Sequence, residues 1–345
     1  MVFFYLLAFF ILFYGAHFQK CGFYSDCLGI EQANAIKGFF ILMVFIGHSI
    51  QTIGNLGYPF VKGIDILGKR IWSEFGQLIV VMFLFYSGYG VMEKKKKKGQ
   101  EYLRSFPQKR VLTTLLNFDI AVLLFVVLDL ALGVELSLKQ IGLSFLAWKS
   151  VGNSNWYIFI ILFCYIAAYL GLRLSPDNNA KSSSLIFMMA LLGMFALSFK
   201  KPSWWYDTLL CFSAGVFFSV YKDRITRLFH NYYLVILLAS LGLFFLFHFM
   251  SFPVFRGLTH NIESVLFAVI IVLFTMKVKT GNAVLMWLGM NVFPLYVYQR
   301  IPMIAIGNLA GGDVICKYPY VFVFGCIILT IIIAWSYQYW KVKLS

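Results

Sequence analysis

Lys37 and His48 stand eleven positions apart in KGFFILMVFIGH, with ten uncharged, mostly apolar residues between them. An imidazole takes and returns a proton near neutral pH, and an ammonium holds a carboxylate or a phosphate. The pair therefore has the makings of an acid–base group beside an anion anchor. On an α-helix eleven steps of about 100° and 1.5 Å make just over three turns and a rise of roughly 16 Å, so both side chains share one face at different depths. That face runs through Ile41 and Val44 and continues past His48 to Gln51 and Thr52. Composition alone does not separate a catalytic imidazole from a neutral one bridging two helices. Depth favours function, because an ionised group inside a bilayer costs about 2.5 to 3.5 kcal/mol on insertion scales and faces the bundle interior or a wet cavity.

Other polar clusters lie at matching depths. VVMFLFYSGYG, residues 80–90, sets Tyr86, Ser87 and Tyr89 beside Gly88 and Gly90, which permit close helix packing or backbone contact with a ligand. In NVFPLYVYQR, residues 291–300, Tyr296, Gln299 and Arg300 share a face at i, i+3 and i+4, and Pro294 leaves the Met290 carbonyl without its helical donor. Arg300 either serves chemistry or snorkels to an interface. The five lysines Lys94 to Lys98 read as an orientation signal against anionic lipid, whereas Lys109 and Arg110 immediately precede the next helix and suit the phosphates of an anionic cofactor. His17, His230, His248 and His260 fall near helix ends or in loops, where imidazole sits comfortably at an interface. The six cysteines show no CxxC spacing, and His17, Cys21 and Cys27 are too irregularly spaced for zinc, so no metal site is expected. No GxxxxGK[ST], HExxH, DxD or GxSxG occurs. That argues against an ATPase, a zinc protease and a nucleotide-sugar glycosyltransferase.

The elements that must hold these residues are membrane helices. The 345 residues are 61% hydrophobic and 12% charged, with a mean hydropathy of +0.81, far from a soluble domain of about 25% charged residues. An all-α polytopic membrane bundle is the expected fold. At about 20 apolar residues per crossing, the sequence predicts eleven helices, at 2–18, 36–53, 75–92, 111–133, 155–172, 184–199, 204–221, 231–250, 262–276, 283–304 and 319–340. The net charge of +15 lies in the loops, with no soluble stretch long enough for a nucleic-acid module. Setting the 94–110 loop on the cytoplasmic side places 19 of the 29 Lys and Arg there, which predicts an external N-terminus and a cytoplasmic C-terminus in the cell membrane.

Taken in order, IEQANAIKGFFILMVFIGHSIQ, VVMFLFYSGYGVME and YLRSFPQKRVLTTLL resemble the acyltransferase family 3 integral membrane proteins. Weaker echoes follow in NSNWYIFIILFCY, WYDTLLCFSAGVFFSVYKDR and WLGMNVFPLYVYQRIPM. Lys37 and His48 fit the family's [R/K]-x10-H motif, and FLFYSGY is similar to its FFxxSGY segment. The resemblance implies transfer of an acyl group, acetyl in the first instance, from acetyl-CoA or another acyl-CoA to a hydroxyl of a cell-surface or lipid-linked carbohydrate. It implies His48 as catalytic base and Lys37 as a polar companion on the cofactor route. Arg110 matches the first arginine of an RxxR motif whose second position is Thr113, with Lys109 as a substitute. Ser87, Tyr89, Tyr296, Gln299 and Arg300 stand as substrate or oxyanion contacts. The resemblance implies a ten-helix domain over residues 31–345, preceded by an extra N-terminal helix within residues 1–30. The partners expected are a carbohydrate acceptor and membrane lipid, with no nucleic acid. The rival class is a transporter or flippase for a lipid-linked sugar or polysaccharide. That class commonly carries paired interrupted helices, and one Pro-broken helix is evident here.

Overall fold

The computed structural model describes residues 1–61, 63–250 and 256–344. The chain folds into helices α1 Val2–Phe13, α2 Ile30–Asn55, α3 Gly63–Phe75 and α4 Leu78–Phe106, then a π-helical turn Pro107–Leu112 leading into α5 Thr113–Ala131. There follow α6 Leu138–Phe145, α7 Asn155–Leu174, α8 Asn179–Ser198, α9 Leu210–Val220, α10 Lys222–Asn231, α11 Tyr233–Phe249 and α12 Arg256–Lys277. The last four are α13 Ala283–Met290, α14 Val292–Tyr298, α15 Arg300–Lys317 and α16 Pro319–Trp340. Two-residue strands β1 His17–Phe18 and β2 Val278–Lys279 pair antiparallel, joining the loop after α1 to the end of α12. Beside them Lys279 lies 2.9 Å from Asp26, and its ammonium holds that carboxyl below the usual carboxylate range.

Long apolar stretches form helices because no water satisfies a free backbone amide or carbonyl in hydrocarbon. Among the described residues six helical stretches are long and apolar enough to cross a bilayer, or seven if α10 and α11, bent by 98°, form one broken span. One of the six, Gly63–Ala131, carries α3, α4 and α5 together. The eleven expected spans are thus matched in helical character and not in count. The physical reason lies in the breaks. The expected 283–304 helix is divided into α13, α14 and α15, with Asn291 turning its side-chain Nδ2 back to the Trp287 carbonyl at 2.8 Å where α13 ends. The expected 204–221 and 2–18 spans shrink to α9 and α1, of 11 and 12 residues.

α2 is the central element. It is buried on nearly every face, as an apolar helix surrounded by others must be. α4 packs on α9 with the backbones in contact. A methyl at Gly88 would collide with the Phe212 carbonyl, and one at Gly215 with the Phe85 carbonyl, so small residues set this crossing. At the opposite end of α2 from Lys37, the buried Glu263 of α12 accepts from Nδ1 of His248 at 2.7 Å and from Nδ1 of His260 at 2.9 Å. Nε2 of His248 lies 3.0 Å from Glu74. This clamp ties α11 and α12 to α3, which carries Trp72 into the cavity described next.

Candidate active site

His48 lines a cavity of about 380 Å³ whose wall includes Gln51, Trp72, Gln77, Asn153, Ser154, Trp204, Trp205, Tyr296 and Arg300. The imidazole is half-buried. Its Nε2 lies 3.4 Å from Ser154 Oγ, and its Nδ1 is buried without a hydrogen bond. The Tyr296 ring stands 6.3 Å from the imidazole between centroids, with a buried hydroxyl that has no partner. Arg300 stands at the same wall. No carboxylate borders this cavity among the described residues, so Arg300 presents its charge to whatever enters.

The turn that brings Ser154 to His48 is held by its own polar groups. Ala147 and Gly152 adopt left-handed backbone conformations, with φ of 54° and 80°. Asn155 Nδ2 donates to the Ala147 carbonyl at 2.6 Å. Asn153 Oδ1 accepts from the Val151 amide and from Ser150 Oγ, both at 3.2 Å. Its Nδ2 is left as a buried donor with no partner at the cavity wall.

A second cavity, of about 710 Å³, opens at the other end of α2. It is bordered by Asp26, Cys27, Asn34, Lys37, Tyr86, Tyr89, Glu93, Lys94, Lys222, Asp223, Arg227 and His230. Lys222 Nζ lies 5.9 Å from the Tyr89 ring centroid, and the Tyr86 hydroxyl is buried without a partner. Lys37 and Lys94 both feel the charge of Arg110. That guanidinium packs over the Tyr165 ring at 5.9 Å.

The residues expected from sequence therefore divide. His48, Tyr296 and Arg300 meet at the first cavity, and Lys37 and Tyr89 at the second. Lys109 is exposed, Arg110 is partly buried and Ser87 is half-buried, and none of the three borders either cavity. Gln299 is fully buried and reaches neither. The two cavities share no wall residue. On α2 the gap runs from Lys37 to Val44, about 10 Å at 1.5 Å per residue; on α4 it runs from Tyr86 to Val80, about 9 Å.

Sequence reasoning did not single out Trp72, Gln77, Asn153, Ser154, Trp204 or Trp205. The signal available for the middle pair was NSNW, a polar run abutting an apolar helix; the tryptophans carried none, because indoles near helix ends are ordinary at a membrane interface. Among the described residues no group of three or more His, Cys, Asp or Glu is disposed to hold a metal ion.

The sequence profile of a family described as an acyltransferase domain matches residues 30–338. No curated protein and no solved structure matches the chain. The match spans nearly the whole chain and takes in α2 with Lys37 and His48, α4, and the α13–α15 segment with Tyr296 and Arg300. The chain belongs to acyltransferase family 3 and is a membrane acyltransferase.

Proposed function

We propose that the protein moves an acyl group, acetyl in the simplest case, from acyl-CoA to a hydroxyl of a cell-surface or lipid-linked carbohydrate, with His48 as general base. The observation that carries this reading is the wall of the His48 cavity: Trp72, Trp204 and Trp205 with Gln51, Gln77 and Asn153, around an imidazole and free of carboxylates. Indole faces cover the C–H face of a pyranose, and side-chain amides pair with hydroxyls as both donor and acceptor.

The donor enters at the opposite end. Lys37, Lys94, Lys222 and Arg227 border the larger cavity, and cations of this kind hold phosphates through charge-assisted bonds. Arg110 adds positive potential behind Lys37. Lys109 stands at the surface. With the Lys37 end facing the cytoplasm, acyl-CoA arrives from the cell interior of a cytoplasmic membrane and the acceptor from outside. For the thioester to reach His48, the roughly 10 Å of packed chain along α2 between the two cavities must open to the flexible arm of the donor.

In the transfer, the acceptor hydroxyl gives its proton to His48 Nε2 as its oxygen attacks the thioester carbonyl. The tetrahedral oxyanion gains stabilisation from Arg300 and from the unpartnered Asn153 Nδ2, both at the cavity wall. Collapse breaks the C–S bond and expels the thiolate. The imidazolium returns its proton to the sulfur, leaving an ester, free CoA thiol and neutral His48.

The test is the acyl content of surface glycan, by mass spectrometry, in a strain lacking the gene and complemented with wild-type protein or His48→Ala. Restoration by wild type alone is expected. Full acylation by a normally expressed His48→Ala would overturn the general-base reading. Loss of glycan export with acylation intact would point instead to a carrier.

A further inference from the structure

Gln299 stands at the junction of α14 and α15, one residue before Arg300, yet its side chain has no access to the cavity that Arg300 borders. It sits among the packed side chains of Ile41, Phe45, Leu288 and Leu295, fully buried. Contact with substrate or with a developing oxyanion is thereby closed to it.

Its amide is nonetheless oriented. Nε2 donates to the Tyr296 carbonyl at 3.0 Å. A carbonyl only accepts, so the NH2 group must face Tyr296 and Oε1 must face the other way. Oε1 is buried and has no hydrogen bond, and the same is true of Nδ1 of His48. Ile41 and Phe45, which border the same small space as Gln299, share a face of α2 with His48, and Tyr296, one turn before Gln299, stands 6.3 Å from the imidazole, so the Gln299 side chain lies against that ring. A buried acceptor without a donor thus neighbours a buried ring nitrogen without a partner. The two satisfy each other in one tautomer only, that with the hydrogen on Nδ1. The remaining nitrogen, Nε2, is the one beside Ser154 at the cavity.

We infer that Gln299 is a positioning residue for the transfer: its Oε1 accepts from Nδ1–H of His48 and holds the tautomer in which Nε2 is the proton acceptor. The inference rests on His48 acting as the base. When Nε2 takes the acceptor's proton both ring nitrogens become donors, and the bond from Nδ1 to Gln299 persists through the cycle. A second ring nitrogen fixed by a hydrogen bond is the usual means of selecting which one reacts.

Membranes containing the full-length protein and its native glycan acceptor, supplied with radiolabelled acetyl-CoA, provide the test. Acetyl incorporation is measured against pH for wild type, Gln299→Leu, Gln299→Glu and His48→Ala. Gln299→Leu is expected to lower kcat/KM for acetyl-CoA about 10- to 100-fold, as loss of such orienting partners generally does. In Gln299→Glu the new carboxylate accepts the same hydrogen bond and stabilises the imidazolium. Most of the rate is therefore retained, while the acid limb of the profile moves to higher pH because the base stays protonated further up the scale. A Gln299→Leu protein of normal yield with wild-type rates, or a Gln299→Glu protein with an unmoved acid limb, would overturn the inference. Activity surviving in His48→Ala would overturn the general-base reading itself, which separates the two failures.

Discussion

At one end of α2 the cavity around His48 measures about 380 Å³ and, among the described residues, is walled by four indoles, Trp72, Trp156, Trp204 and Trp205, with one guanidinium and no carboxylate. At the other end the cavity around Lys37 measures about 710 Å³ and mixes four Lys and Arg with three acidic side chains. The smaller cavity is built to orient: flat rigid rings, a turn braced by Asn153 and Asn155, and a single cation. The larger presents both signs of charge around a wider space, the side that the proposed function gives to an anionic donor. One helix joins them, with Lys37 and His48 on a common face. In the proposed reaction this difference gives recognition of the donor to the Lys37 end and the reacting groups to the His48 end.

The largest effect that would sharpen this contrast is expected at Arg300. Arg300→Ala removes the only cation that borders the smaller cavity among the described residues, and kcat for acyl transfer should fall about 100- to 1000-fold, the usual cost of an oxyanion donor. An unchanged kcat would leave the small cavity without an electrostatic role. Next comes Lys37→Ala. A charge-assisted bond contributes about 1.5 to 3 kcal/mol, so KM for acyl-CoA should rise roughly 10- to 100-fold with kcat less affected. Were kcat to fall while KM stayed fixed, the two ends would not be divided as described.

A smaller change is expected at Trp72. Stacking contributes about 0.5 to 1.5 kcal/mol beyond the burial of area, so Trp72→Ala should raise KM for the glycan about 3- to 10-fold and leave KM for the donor alone. The smallest is Lys109→Ala. An exposed side chain bordering neither cavity should change either KM by no more than about twofold, and a donor-binding defect there comparable to that of Lys37→Ala would move the donor site to the membrane surface.

The parts of this site written on single helices were legible in the sequence. Lys37 and His48 share a face of α2 by helical arithmetic, and the membrane class follows from composition; Tyr296 and Arg300 both reach the cavity, but from either side of the break between α14 and α15. The parts written by tertiary contact were not. Trp72, Asn153 and Trp204 arrive from three loop-proximal segments far apart in the chain. Lys109 and Arg110 are neighbours in sequence and unlike in environment, because a helical step of about 100° turns one toward water and the other over Tyr165. The count of eleven spans is not reproduced among the described residues, because apolar length in a sequence does not reveal where a helix breaks. Asn291 and Gln299 interrupt what reads as one helix, and Tyr232 divides α10 from α11.

The central claim is that donor and acceptor meet at His48 from opposite membrane faces. It is tested most directly in proteoliposomes of uniform orientation, with radiolabelled acetyl-CoA on one side and glycan on the other, comparing wild type with His48→Ala. Transfer is expected only with the donor on the Lys37 side and the glycan on the His48 side, at a rate that His48→Ala lowers about 100- to 10,000-fold. Equal transfer with both substrates on one side, or a rate indifferent to His48→Ala, would contradict the account.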